Sequence, residues 1–127
     1  MHINLESDYA VRIVYQMVKR GGRVDAHTVA EASGVSLRFA LKILGKLVSA
    51  DVIRSFKGAH GGYELARPAD GITLRQVIEA VEGPYRFSRC VGDGYDCTHA
   101  DCPFHAVFDD VTRTVVEKLD TVTFDQF

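Results

Sequence analysis

The chain has 127 residues, of which 46% are hydrophobic and 25% are charged, and its formal net charge is −2. This length predicts one domain with at most an appendage. No apolar run approaches the ~18 residues of a membrane span, and the stretch MHINLESDYAVRI lacks the basic start and the cleavable apolar segment of an export signal. We therefore expect a cytoplasmic protein that has no membrane segment.

The nearly neutral total conceals a basic middle and an acidic tail. Residues 36–67 carry six basic and two acidic side chains, whereas residues 90–127 carry eight acidic and two basic ones. This asymmetry indicates a site for a polyanion in the middle of the chain.

The first predicted helix runs from Ser7, as its N-cap, to about Arg20. The pair Gly21-Gly22 follows and favours a helix stop, because glycine adopts the conformations of a helix C-terminus without strain. Five apolar residues share one face and predict its buried side: Ala10, Ile13, Val14, Met17 and Val18.

A second and a third helix are predicted directly after the first. Asp25 is placed to cap a short helix over residues 26–33 that ends at Gly34, and Ser36 is placed to cap the next one. The third helix has an apolar stripe, formed by Phe39 or Ala40, Ile43, Leu44, Leu47 and Val48. Two helices joined by a short turn that contains glycine are typical of a helix-turn-helix.

The next segment predicts a β-hairpin followed by a fourth helix. The runs VIRSF and YELAR have β-type composition and are joined by the glycine-rich KGAHGG at residues 57–62. Pro68 prevents continuation of the strand ladder. Thr73 and Gln76 then form a capping box, and the Gly-Pro pair at 83–84 ends the fourth helix.

A last helix is predicted to begin in the segment after residue 100. Pro103 suits its first turn, with Asp101 or Cys102 as the cap. An apolar stripe with spacings of three and four follows: Phe104, Phe108, Val111, Val115, Leu119 and Val122. This stripe either packs on its own domain or joins a second copy of the chain. We expect the dimer, because a small domain has little spare core for six large apolar side chains.

The predicted fold is therefore mainly α with a small β-hairpin. We expect a winged helix-turn-helix DNA-binding domain at residues 1–84, a cysteine-containing loop at 85–102, and a long dimerisation helix with its tail at 103–127.

The third helix and the hairpin carry the candidate DNA-binding residues, which are Ser36, Arg38, Leu41, Lys42, Lys46, Lys57 and His60. An arginine near the start of such a helix can reach guanine edges in the major groove, and lysines further along neutralise phosphates. The glycine-rich tip of the hairpin could bring its side chains close to the minor groove. The alternative is an ordinary solvated surface, since basic surface helices are common.

All three cysteines of the chain lie in one loop with the spacing C-x6-C-x4-C, at Cys90, Cys97 and Cys102. In a cytoplasmic chain an odd set of thiols argues against structural disulfides. Thiolates bind soft or borderline metals, and this spacing differs from the CxxC pairs of a zinc ribbon. The spacing therefore predicts a metal centre, with free or redox-sensing thiols as the alternative.

Three thiolates leave one position open at such a centre. His105 lies three residues after Cys102, and His99 lies within the loop. Asp8, or alternatively Glu6, could reach the centre from the first helix of either subunit. The alternative for His105 is an ordinary histidine in a first helical turn. The alternative for Asp8 is an ordinary surface acid, because an acid in a first helical turn already interacts well with the helix dipole.

The chain resembles the Rrf-two (Rrf2) family of bacterial transcriptional regulators. The matching stretches are SDYAVRI, GVSLRFALKILGKL, GAHGGYELARP and ITLRQVIEAVEG, followed by three cysteines before a long helix. The family includes an iron–sulfur cluster regulator, a nitric-oxide-sensitive repressor and a cysteine-metabolism repressor. The resemblance implies a homodimer, joined by the last helix, that binds a palindromic operator in double-stranded DNA.

The resemblance also implies the ligands of an iron–sulfur cluster. The three cysteines fall on the family's cluster cysteines, and His105 matches the histidine that completes a two-iron two-sulfur site. Asp8 matches an aspartate that some nitric-oxide-sensing members donate from the other subunit to a four-iron cluster. We expect the two-iron cluster and retain the four-iron cluster as the alternative. Members commonly have five residues between the second and third cysteines, where this chain has four, and many carry a glutamate where Leu41 stands.

The predicted function is a transcriptional regulator whose operator binding is gated by an iron–sulfur cluster that senses redox state, nitric oxide or iron–sulfur status. One alternative is a cluster-free regulator of cysteine or sulfur metabolism that acts through a partner protein. Another is an iron–sulfur carrier or electron-transfer protein. No nucleophile–base pair or paired carboxylates stand out, so we expect no enzyme.

Overall fold

The helices and strands follow one another in the order predicted for a winged helix-turn-helix. The computed structural model describes residues 2–92, 94–95, 97–99 and 101–127. Within this part of the chain the elements are α1 (Leu5–Arg20), α2 (Ala26–Ser33), α3 (Leu37–Ser49), β1 (Ile53–Phe56), β2 (Gly62–Leu65), α4 (Leu74–Glu82) and α5 (Pro103–Asp120). Short 3-10 turns lie at Ala69–Gly71, Arg89–Val91 and Phe124–Gln126. The predicted fold class, mainly helical with one small hairpin, is confirmed.

The start of α1 differs from the prediction. Asn4 is the N-cap, and its side chain accepts a 2.8 Å hydrogen bond from the amide of Ser7. Ser7 itself is buried inside the first turn, where its hydroxyl donates to Glu82 at the end of α4. The assignment of Ser7 as the cap was wrong because serine suits an N-cap on local grounds, whereas a contact with a distant helix decides its position here.

The other predicted caps are confirmed. Asp25 accepts a 2.7 Å hydrogen bond from the amide of Thr28, and hydrogen bonds from Thr28 lower the pKa of Asp25 below its ordinary value. Ser36 accepts a 3.2 Å bond from the amide of Phe39. The capping box at the start of α4 is also present. These side chains satisfy amides that have no partner inside their own helices.

The hairpin forms an antiparallel pair in a register from Ile53 opposite Leu65 to Phe56 opposite Gly62. Val24, between α1 and α2, adds a third segment by exchanging hydrogen bonds of 3.0 and 2.7 Å with Tyr63. Gly62 has φ 141°, and a Cβ there would lie 2.5 Å from the carbonyl oxygen of Val24. A glycine is therefore required where this segment pairs with the hairpin.

The core lies between α1, α2, α3, α4 and the base of the hairpin. Its largest fully buried side chains include Ile13, Met17, Ile43, Leu44, Leu47, Ile53, Ile72 and Val77. Of the two alternatives on α3, Ala40 is fully buried, whereas Phe39 is half-buried and packs edge-on against Tyr9 at 5.5 Å between ring centroids. This packing leaves the opposite face of α3 in solvent.

Helix α5 begins at Pro103 with Cys102 as its cap residue, in agreement with one of the two predicted caps. Its predicted stripe is half-buried from Phe108 onward, Phe104 is exposed, and no described residue of α5 is fully buried. Arg75 on α4 holds the end of α5 through a 2.8 Å ion pair with Asp120, and Glu79 and Asp120 raise the pKa of Arg75 above its ordinary value.

The tail after α5 returns to the first part of the chain. The amide of Leu74 donates to the carbonyl of Val122 at 2.8 Å, and the amide of Phe124 donates to Ile72 at 3.2 Å. Phe124 is only 3% exposed and belongs to the core. Nothing in the local pattern of the tail indicated this contact. No helix in the described part of the chain combines the length and apolar character that crossing a bilayer requires.

Candidate functional site

The outer face of α3 presents most of the predicted DNA-binding residues to solvent. Ser36, Arg38, Leu41 and Lys42 are all exposed. They lie opposite the buried stripe because side chains three and four residues apart share one face of a helix. Leucine at position 41 gives this face an apolar contact of the kind that meets a thymine methyl group.

Lys46 is half-buried, and its ammonium group has a closer partner within the protein than that of Lys42. Its Nζ lies 2.8 Å from Oε1 of Glu6 on α1, and Nζ of Lys42 lies 3.7 Å from the same oxygen. Glu6, the alternative to Asp8 as a metal ligand, lies against α3 in its own chain.

The two predicted residues of the wing, Lys57 and His60, are both exposed at the tip of the hairpin. Arg23, which precedes α2, braces this tip. Its guanidinium lies 3.6 Å from the ring centroid of Phe56, its Nε is 3.0 Å from the carboxylate of Glu64, and its Nη1 donates a 2.9 Å hydrogen bond to the carbonyl of His60. No local pattern in the sequence indicates this role of Arg23, because all three partners are distant in sequence.

A cavity of about 420 Å³ at the start of α5 brings together the predicted metal ligands. It is lined by Cys90, Tyr95, Cys97, His99, Asp101, Cys102, His105 and Phe108. All three cysteines are free thiols. The loop and the first turn of α5 thus place every predicted cysteine and His105 around one space.

These side chains line the cavity without converging on one point. Within the described ranges, no three His, Cys, Asp or Glu side chains stand close enough to hold one metal ion. The thiol of Cys90 donates to the hydroxyl of Ser88 at 3.4 Å, and the thiol of Cys97 donates to the carbonyl of His99 at 3.7 Å. Two of the thiols are therefore engaged within the loop itself.

Asp8 does not line this cavity in its own chain. Its carboxylate forms a 2.9 Å ion pair with Arg12, one turn further along α1. The structure thus groups His105 and His99 with the cysteines and leaves Asp8 on another surface of the same chain.

The cysteine loop is attached to α5 by polar and aromatic contacts. The amide of Phe87 donates a 3.0 Å hydrogen bond to Thr112, and the ring of Phe87 packs against Phe108 at 5.3 Å between centroids. Gly92 lies directly against Arg86, and a Cβ at Gly92 would lie 1.8 Å from Nη1 of that side chain. Because of these contacts, we expect a conformational change in the loop to alter the position of α5 first.

Known proteins of similar sequence and structure share this fold and are transcriptional regulators. Residues 3–127 match the Rrf2 family, which is described as iron-dependent transcriptional regulators. Protein aau3 of Rhizobium meliloti is 31% identical over 128 aligned positions, which cover 98% of this chain and 83% of that protein. The HTH-type transcriptional regulator IscR of Escherichia coli O1:K1 is 27% identical over 129 positions, covering 99% of this chain and 79% of that protein.

Solved structures show the same architecture. CymR, the global cysteine regulator of B. subtilis, matches with a TM-score of 0.79 at 22% identity, over 98% of this chain and 94% of that chain. IscR of T. potens matches with a TM-score of 0.77 at 24% identity, over 98% of this chain and 84% of that one. The family match spans nearly the whole sequence, and the helix-turn-helix and wing are both in place. This chain therefore belongs to the Rrf2 family, whose members are DNA-binding transcriptional regulators and not enzymes.

Proposed function

We propose that this regulator binds its operator under the control of an iron–sulfur cluster held at the cysteine cavity. The observation that carries the proposal is the common cavity of Cys90, Cys97, Cys102 and His105. Loop packing alone does not explain why every cysteine of the chain lies around one cavity beside a long helix. The family's description as iron-dependent regulators supports the same proposal.

The chemistry of the donor set fits such a centre. Three free thiols and one imidazole provide the four protein ligands of a two-iron two-sulfur cluster. Cys102 is the cap residue of α5, so the third thiol lies at the start of that helix. Cys90, Cys97, Cys102 and His105 would hold the cluster. A bound cluster would supply a centre that oxidants or nitric oxide can alter.

Asp8 remains the candidate fourth ligand for the alternative, a four-iron cluster. Because it lies away from the cavity of its own chain, this role requires Asp8 of a second subunit. Binding there would also require the carboxylate to leave Arg12. The two-iron cluster needs neither change, and we therefore propose it.

Contacts within the chain connect the cysteine loop to the DNA-binding region. Phe87 ties the loop to α5 through Thr112 and Phe108. The end of α5 is in turn tied to α4 by the ion pair of Asp120 with Arg75. Ordering or loosening the loop would shift α5 against α4, which packs on α3. This route gives the state of the loop an influence on the recognition helix.

We further propose that the protein acts as a homodimer on a palindromic operator. The half-buried stripe of α5, with exposed Phe104 and Val107 at its start, supports a partner helix of a second copy. Half-sites lie ~34 Å apart, so small rotations of the subunits weaken binding. In this arrangement Arg38 and Leu41 read bases, and Ser36, Lys42, Lys46, Lys57 and His60 contact the backbone.

We propose that residues 1–84 form a DNA-binding domain, residues 85–102 a ligand loop and residues 103–127 a dimerisation segment. Phe124 is an anchor from the last segment into the first. Since the proposed partner is chromosomal operator DNA, we propose a cytoplasmic location.

Anaerobic purification followed by an absorption spectrum and iron and sulfide analysis tests the cluster. We expect a coloured protein with about two irons and two sulfides per chain, and loss of both when Cys90, Cys97 and Cys102 are replaced by serine. An iron-free preparation made without air would refute the cluster. About four irons per chain would instead indicate a four-iron cluster with Asp8 as its fourth ligand.

DNA binding is tested with the promoter of the protein's own gene, at a series of salt concentrations. If a dimer contacts about eight phosphates, its affinity falls ~10³- to 10⁵-fold between about 50 and 200 mM salt. The serine variants should bind that promoter with altered affinity. If they bind it as the cluster-loaded protein does, the gating proposal fails even where the cluster itself is present.

A further inference from the structure

Glu6 on α1 faces two lysines of the recognition helix. Its Oε1 lies 2.8 Å from Nζ of Lys46 and 3.7 Å from Nζ of Lys42. The side chain of Glu6 is only 17% exposed, whereas that of Lys46 is 37% exposed and that of Lys42 is 58% exposed. One partly buried carboxylate thus lies beside two cations that point toward solvent.

We expect the attraction between Glu6 and Lys46 to be stronger than that of a typical surface ion pair. Exposed pairs gain little because water and salt screen both charges. Here the carboxylate is largely withdrawn from water, so its attraction to Lys46 is screened less. The carboxylate also has little freedom to leave. Neighbouring Ser7 and Asn4 are both hydrogen-bonded to Glu82, and these bonds hold the first turn of α1 in place.

We propose that Glu6 is an intramolecular counter-charge that holds down the affinity of the recognition helix for DNA. In the free protein it neutralises Lys46 and, more weakly, Lys42. A phosphate that approaches these lysines must compete with the carboxylate for them. This inference rests on the proposed role of Lys42 and Lys46 as phosphate contacts.

The counter-charge acts mainly on non-specific binding. Non-specific affinity comes almost wholly from lysine and arginine contacts with phosphates, whereas an operator also offers base contacts to residues such as Arg38 and Leu41. Weakening the phosphate contacts therefore removes a larger share of non-specific affinity than of specific affinity. Glu6 thereby limits the sequence-independent part of the affinity without touching a base.

The salt dependence of binding gives the counter-charge a distinct signature. When a phosphate takes Lys46, the carboxylate of Glu6 stays in place without its lysine and recruits a cation from solution. This uptake offsets part of the cation release that drives DNA binding. Removing the charge of Glu6 should consequently make the dependence of affinity on salt steeper, which a purely structural role would not do.

The test is fluorescence anisotropy with a short duplex of random sequence, on the full chain, over a series of salt concentrations. Glu6→Gln keeps the size of the side chain and removes its charge. We expect about twofold to fivefold tighter binding at low salt and a log–log salt slope that is steeper by about one unit. Glu31→Gln is the matched control, because Glu31 is an exposed glutamate on α2 that lies 3.8 Å from His27 and pairs with no lysine in the described part of the chain.

Lys46→Gln, made in the wild type and in the Glu6→Gln background, separates the two proposals. We expect it to weaken DNA binding in both backgrounds, and by a larger factor when Glu6 is neutral. If Lys46→Gln weakens binding in neither background, the proposed DNA-binding face is refuted. If it weakens binding but Glu6→Gln gives no more than the Glu31→Gln control, only the counter-charge is refuted.

Glu6→Asp guards against a folding defect, since it keeps the charge in the first turn but withdraws it from Lys46. It should strengthen binding less than Glu6→Gln and in the same direction. Thermal melting checks that each variant is folded. Weaker binding by folded Glu6→Gln, with an unchanged salt slope, would mean that Glu6 positions the helix and would overturn the inference.

Discussion

The hydroxyl of Ser7 donates a 2.5 Å hydrogen bond to Oε1 of Glu82, across 75 residues of sequence. The bond joins the first turn of α1 to the last turn of α4, and the amide of Asn4 donates to the same oxygen at 3.0 Å. From Glu82 the chain continues through Gly83 into the segment that leads to the cysteine loop. The first turn of α1 is thus held at the point where the DNA-binding region meets the proposed cluster region.

Removing this hydroxyl tests the connection. Ser7→Ala should lower the free energy of unfolding by about 1 kcal/mol, since the bond reaches a carboxylate that water can partly rehydrate. Denaturant unfolding measures the change. Ser49→Ala is the control, because Ser49 is exposed and its hydroxyl donates to the carbonyl of Gly45 in its own helix, and it should cost less than about 0.5 kcal/mol. Equal losses in the two variants would show that the contact with Glu82 contributes nothing.

The wing provides a second prediction. Arg23→Ala removes the contact with the Phe56 ring, the ion pair with Glu64 and the hydrogen bond to His60. We expect about fivefold weaker DNA binding with an unchanged salt slope, because Arg23 positions the hairpin and does not neutralise a phosphate. Lys57→Ala should instead reduce the slope by about one unit.

Arg23→Lys extends this test. It keeps the positive charge but lacks the planar guanidinium that stacks on the ring and bonds in two directions. It should therefore behave like Arg23→Ala in anisotropy measurements. A slope that falls in Arg23→Ala as it does in Lys57→Ala would identify Arg23 as a direct DNA contact.

The fourth ligand can be tested with two histidines of the same cavity. His105→Ala should lower the iron content of the anaerobically purified protein and change its visible spectrum, because it removes a proposed ligand. His99→Ala should leave both unchanged, although His99 also lines the cavity. If His99→Ala loses iron and His105→Ala does not, His99 is the ligand. If neither loses iron, Asp8→Ala becomes the next variant to examine by the same spectra.

The tail contact predicts a large loss of stability from one phenylalanine and almost none from another. Phe124→Ala empties a buried site in the core and should lower the free energy of unfolding by about 3 kcal/mol. Phe127→Ala, at a site 69% exposed, should change it by less than about 0.5 kcal/mol. Thermal or urea unfolding measures both. A mild effect of Phe124→Ala would mean that the tail is not part of the core in solution.

Local features of the fold were predictable because they depend on neighbours within a few residues. Asp25, Ser36 and the capping box of α4 cap their helices as their residue types and spacing indicated. Ser7 shows where this reasoning fails. Its local environment resembles that of a cap, but a carboxylate on a distant helix takes its hydroxyl.

The amino-acid sequence was enough to predict the element order, the helix-turn-helix and wing, the family, and the cysteines and histidines of the candidate cluster site. Each of these depends on residue type, periodicity and spacing along the chain. Three contacts became visible only in the folded chain: Glu6 faces Lys46, Arg23 braces the wing and Phe124 returns to the core. These contacts arise because packing the apolar faces brings together side chains that are far apart in sequence, and no local pattern records which ones will meet.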